Sequence, residues 1–131
     1  MAQEIKIGLS KVVSDQVTEE NTALAVGSGC LKVYATPAMC GLMEKAAAQL
    51  MDELLPEDST TVGTALSIAH VSATPVGMKV TARAEIVDVQ ERKITFKVLA
   101  EDEVGKIGQG THERFIVLKE KFQTKTDNKK G

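Results

Sequence analysis

The sequence predicts an α+β fold in which an antiparallel sheet wraps around one long, largely buried helix. Three observations lead there. From about residue 60 onward, four segments alternate apolar and polar residues with period two. Before them lies one stretch, Thr36 to Leu55, that is apolar on most of its circumference. The connections between the alternating segments are short and rich in turn residues. The chain has 131 residues, a length that suits one compact domain. A single domain is expected over 1–122, with 123–131 as a polar, disordered tail.

The elements follow in order. "EIKIGLSKVV" alternates at Ile5, Ile7 and Leu9 and reads as a first strand. Ser14 to Val33 is mixed and then Gly-rich at "VGSGC", which reads as loop with room for a short helix. "YATPAMCGLMEKAAAQLMDELLPE" is the helix. Thr36 before Pro37 predicts its start, with the Thr36 hydroxyl capping an N–H and Pro37 at the first helical position. Pro56 stops it. "TTVGTALSIAH" is a strand interrupted at Gly63. "MKVTARAEIVDV" places Val80, Ala82, Ala84 and Ile86 on one face, and "KITFKVLAED" does the same with Ile94, Phe96 and Val98. "IGQGTHERFIVL" completes the sheet and puts His112 and Arg114 on a common face.

Composition excludes several functions. The formal net charge of -2 argues against a general polyanion binder. Aromatic residues make up 3% of the chain and Trp is absent, so stacking platforms for single-stranded nucleic acid are few. No basic segment followed by an apolar one opens the chain, and Glu44, Lys45 and Asp52 interrupt its most apolar helix. A cytoplasmic protein without a membrane span is expected. Cys30 and Cys40 lack a CxxC spacing and read as reduced, buried thiols. The two histidines are far apart, so metal ligation is not expected. There is no phosphate-binding glycine motif and no GxSxG elbow.

Glu44 is the residue out of place. On a helical wheel Lys45, Gln49, Asp52 and Glu53 fall between about 80° and 180° from it, while Cys40, Ala48, Met51 and Leu55 fall within about 40°. A carboxylate on that arc needs a cleft, a partner or a proton. His70 ends an apolar strand, and a strand-end His is commonly a hydrogen-bonded structural residue. Gly63 and Thr64 sit where a bulge, or a ligand close to the backbone, interrupts that strand. Arg114 is either an ion-pair residue or a contact for an anionic or carbonyl group.

Three segments together carry a family resemblance: "YATPAMCGLMEKA", "VGTALSIAHVSATPVGMKVTARAEI" and "IGQGTHERFIVLKEKF". In that order they resemble the fluoroacetyl-CoA thioesterase type of hot-dog protein. The resemblance implies a hot-dog fold and an acyl-CoA thioesterase with a Thr/Glu/His catalytic group, here Thr36, Glu44 and His70. It implies substrate contacts at Gly63, with its neighbour Thr64, and at Arg114. No metal and no cofactor is implied beyond the coenzyme A of the substrate. Homodimers, or higher oligomers, are implied, with the sites at the interface. One departure stands out. The family's fluoroacetate-selective member has an aromatic-rich lid before the helix, whereas "LAVGSGCLKVY" has only Tyr34. A different or broader acyl group, short or small, follows. A non-catalytic acyl-CoA binder or sensor of the same fold is the alternative. A hot-dog dehydratase is disfavoured, because its Asp-and-His pairing is not found.

Overall fold

The computed structural model describes residues 4–131. Strand β1 (Ser10–Gln16) is followed by a 3-10 turn (Glu19–Asn21), a one-turn helix α1 (Ala23–Val26) and the long helix α2 (Thr36–Leu54). Four strands come next: β2 (Ser59–His70), β3 (Lys79–Gln90), β4 (Lys93–Glu101) and β5 (Lys106–Leu118). Helix α3 (Lys119–Asp127) and a final 3-10 turn (Asn128–Lys130) end the chain. The strands form one antiparallel sheet in the order β1-β3-β4-β5-β2. This is the expected α+β arrangement.

Helix α2 buries Met39, Leu42, Met43, Ala46, Ala47, Leu50, Met51 and Leu54. It packs on β1, β2 and β3. The predicted faces of β3 and β4 meet it, and Val80, Ala82, Ala84, Ile86, Ile94, Phe96 and Val98 are all buried. Burying a Leu- or Met-sized side chain contributes about 1.5–3 kcal/mol, so this single layer supplies most of the core. Two glycines let β5 come close. A Cβ on Gly108 would lie 2.5 Å from the Met39 sulfur, and one on Gly110 would collide with the backbone of Ser67 and Ile68. The glycines of "IGQGTHER" therefore serve packing.

Three expectations need correction. The first strand runs over Ser10–Gln16 rather than from Glu4, because Gly8 turns the chain at φ 100 and leaves Ile7 67% exposed. Ile5 and Leu9 still pack against the core. The cap of α2 is Ala35, and Thr36 makes no capping hydrogen bond. The polar C-terminal segment, expected as a loose tail from residue 123, continues as helix α3 with no buried residue.

Strand β2 contains the feature that builds the site. Its register against β5 shifts between Gly63 and Ala65, so Thr64 is an extra residue in a bulge. Side chains alternate along a strand, and without a bulge residues 63 and 70 would point to opposite faces. The inserted residue resets the parity. Gly63 lies opposite Arg114, Leu66 opposite His112, and His70 opposite Gly108, all on the face that meets α2.

Candidate active site

The expected residues gather at two places. The first joins the start of α2 to the end of β2. Thr36 Oγ1 lies 2.7 Å from His70 Nδ1. Because Ala35 caps the helix, the Thr36 hydroxyl is free for this contact. His70 is half-buried. Burial lowers its pKa below the usual value, and a contact with the Ser72 backbone opposes that shift. Its Nε2 is buried and has no hydrogen-bond partner among the described residues. A cleft of about 280 Å³ opens beside the pair, lined by Ala23, Ser28, Val33, Tyr34, Ser72 and Ala73 among others. Most of these side chains are small. The segment before α2 is pinned over the cleft by the Thr22–Tyr34 bridge and by Ala23 N–H donating to Val33 O.

The second place is at the β2 bulge. A Cβ on Gly63 would sit 3.3 Å from Arg114 Nη1, 3.3 Å from His112 Cε1 and 3.7 Å from Glu44 Oε2. The carboxylate that the wheel sets apart therefore faces a bare stretch of backbone beside a guanidinium. Glu44 is half-buried and makes no ion pair within 4.0 Å among the described residues. Arg114 is 8% exposed. Its Nε donates to Thr61 Oγ1 at 2.7 Å and its Nη2 to Thr61 O at 3.1 Å. Burial lowers the Arg114 pKa, while Glu44 and Asp52 act to raise it. Thr64, the bulge residue, donates its hydroxyl to Glu113 O at 3.2 Å and is exposed.

Thr36, Glu44 and His70 thus do not form one hydrogen-bonded triad inside a chain. Eight residues of helix, about 12 Å of rise, separate Thr36 from Glu44. Seven residues of strand, roughly 20 Å, separate His70 from Gly63. Two members of the second group, His112 and Thr61, have no role in the sequence reading. The available signal was spacing alone: each lies two residues from a site residue, on the same strand face.

The cysteines differ from expectation. Both are free, but Cys30 is exposed and Cys40 half-buried. Cys30 lies in the Gly-rich segment before α2, outside the core. Burial, then the nearby Glu44 charge, raises the Cys40 thiol pKa. Among the described residues, no three His, Cys, Asp or Glu side chains gather as metal ligands, and no helix is long and apolar enough to cross a membrane.

Comparison with known proteins gives this geometry a context. Residues 17–120 match the family described as "FlK: Fluoroacetyl-CoA-specific thioesterase". A fluoroacetyl-CoA thioesterase from Streptantibioticus cattleyicolor is 42% identical over 98 residues, covering 75% of this chain and 70% of the relative. The crystal structure of a fluoroacetyl-CoA thioesterase variant in complex with acetyl-CoA superposes with a TM-score of 0.91 at 32% identity, covering 97% of this chain and 100% of that one. A hot-dog-like protein from Thermanaerovibrio acidaminovorans superposes at 0.86 with 20% identity over 95% and 93% of the two chains, which shows the fold. This chain therefore belongs to the fluoroacetyl-CoA-specific thioesterase family and is an acyl-CoA thioester hydrolase of the hot-dog fold.

Proposed function

We propose that the protein hydrolyses a small acyl-CoA to the free acid and CoA, in sites assembled between two copies of the chain. The observation that carries this reading is the split of the functional residues. Thr36 and His70 lie at one end of β2, and Glu44, Gly63 and Arg114 lie toward the other. Strand β2 is an edge of the sheet. An antiparallel pair of such edges sets the His70 end of one copy beside the Gly63 end of the other. Each interface then holds two complete sites.

The chemistry asks for a base or nucleophile, an oxyanion site and a proton for the leaving sulfur. Glu44 fills the first role. It removes a proton from water as the oxygen adds to the thioester carbonyl, or it adds itself and water opens the resulting anhydride. Both routes consume one water, break the C–S bond and release the acid and CoA. Backbone N–H groups at the first turn of α2 and at Gly63, with the Arg114 guanidinium, would receive the charge developing on oxygen. Thr36 and His70 bind and orient the thioester, and His70 carries the proton to sulfur. No step calls for a metal. The small side chains around the 280 Å³ cleft favour a short acyl group without aromatic selection. The complexes of related proteins with acetyl-CoA, and with fluoroacetate and CoA, are consistent with that size.

The test is thiol release from a panel of short, medium and aryl acyl-CoA thioesters, for the wild type and Glu44→Gln. Turnover of short acyl groups is expected, with a loss of about 10²- to 10⁴-fold in the variant. Saturable CoA-ester binding with no turnover across the panel would instead make this a non-catalytic acyl-CoA binder.

A further inference from the structure

Arg114 can act on a substrate only if its guanidinium is held still; Thr61 holds Nε and Nη2, and the side chain that holds Nη1, the nitrogen over Gly63, is His112. The His112 ring is 1% exposed and lies against Phe96, with ring centroids 6.1 Å apart. Its Nε2 is 3.1 Å from Arg114 Nη1. A guanidinium has five N–H donors and no acceptor, so this nitrogen must present a lone pair. Its Nδ1 is 2.8 Å from Ala65 O. A carbonyl only accepts, so Nδ1 must carry the proton. The two constraints fall on one ring and agree: His112 is neutral, protonated at Nδ1. Glu44 of α2 and Glu113 of β5 are the acidic groups whose charge reaches it, and Arg114 is the opposing cation.

The bulge is part of the same chain of contacts. Ala65 is the first residue after it. Ala65 O accepts from His112, His112 accepts from Arg114 Nη1, and Arg114 Nη1 stands over Gly63. We propose that His112 is a positioning residue which, anchored on Ala65, aims Arg114 Nη1 at the Gly63 subsite where the acyl-CoA thioester is held. The proposal rests on the reading of Gly63 and Arg114 as substrate contacts. It adds a specific linkage: the backbone distortion that creates the subsite also supplies the carbonyl that fixes the ring tautomer. A protonated His112 would put two donors and two charges face to face at 3.1 Å, and Arg114 would have to move.

The experiment compares replacements by what they offer Arg114. His112→Gln carries one acceptor and one donor on a single carbon, as the neutral ring does. His112→Leu carries neither. The Leu variant should lose about 10- to 100-fold in kcat/KM, and the Gln variant less than about 5-fold. In an Arg114→Ala background, His112→Leu should change kcat/KM less than about 2-fold. Equal losses for Leu and Gln, or multiplied losses in the double variant, would overturn the proposal. If the Leu variant does not fold, His112→Asn, too short to reach Arg114, takes its place in the comparison. Ring nitrogen NMR of the wild type reads the tautomer without any turnover. A proton on Nε2 at neutral pH overturns the assignment even in an active enzyme. A correct tautomer in a protein that hydrolyses no acyl-CoA sinks the functional reading instead.

Discussion

His112 is held neutral by burial first, and the Arg114 charge adds to the effect. Its pKa in the folded chain lies below the ordinary 6.5. Between those two values the unfolded chain binds a proton that the folded chain does not. Stability is therefore complete above about pH 6.5 and declines as the pH falls through 6.5 toward the folded value. His70, also lowered by burial, adds a slope of the same sign. The melting temperature should fall between about pH 7.5 and 5.5, and His112→Gln, whose amide does not titrate, should fall less steeply. An unchanged slope in the variant would mean that His112 binds its proton equally well in the folded and unfolded chain, and a steeper one that the fold holds it charged. At this scale Glu44 was legible in the sequence, because a wheel needs only periodicity. Thr36 was legible as a helix-start residue, but its hydroxyl meets His70 instead of capping. That contact spans 34 residues of chain and leaves no local trace. His112 was placed on the face of Arg114, yet the acceptor that sets its tautomer, Ala65 O, lies on another strand.

At the scale of elements, β3, β4 and β5 were legible nearly to the residue, because each buries one face over most of its length; the register shifts at Val87 in β3 and at Ile107 in β5 show only in the cross-strand pairing. Strand β2 was legible as interrupted at Gly63, with a bulge as one of two readings, but the parity that the bulge resets at Leu66, Ile68 and His70 was not. Only the cross-strand register shows that. Strand β1 was misplaced toward the N-terminus, since Ile5, Ile7 and Leu9 alternate across a turn at Gly8. Helix α3 was not foreseen: its residues are mostly polar, and neither a side-chain cap nor a buried residue marks it. A nine-residue helix of that kind is marginal in water. We therefore expect amide hydrogens of residues 123–131 to exchange orders of magnitude faster than those of Leu42–Met51 in α2. Slow exchange there would show that Phe122 of α3, beside Val62 and Val117, docks the helix firmly.

For the whole molecule the question is what covers β2. Twelve residues long, it pairs with β5 on one side and, among the described residues, has no strand on the other. Proteins usually blunt such an edge with charge or proline. "STTVGTALSIAH" contains no Lys, Arg, Asp, Glu or Pro, which is the character of an edge meant to be paired. A two-fold axis perpendicular to the sheet keeps the α2-facing sides of both copies together, so opposed residues must share a face. An axis through Ser67 satisfies this. In the proposed dimer it would set Leu66 against Ile68 and Ala65 against Ala69 of the second copy, and His70 against the Gly63–Thr64 bulge. At that axis Ser67 would face itself, with a Cα separation of about 4.5–5.5 Å, within reach of a disulfide. In a background with the exposed Cys30 changed to Ser, Ser67→Cys should oxidise to a covalently linked dimer that keeps its fold and its activity. Thr64→Cys should not link to itself, because it lies opposite the His70 end. Sedimentation as a monomer, or equal cross-linking at both positions, would remove the shared site and require each chain to complete the chemistry across the roughly 20 Å that separates His70 from Gly63.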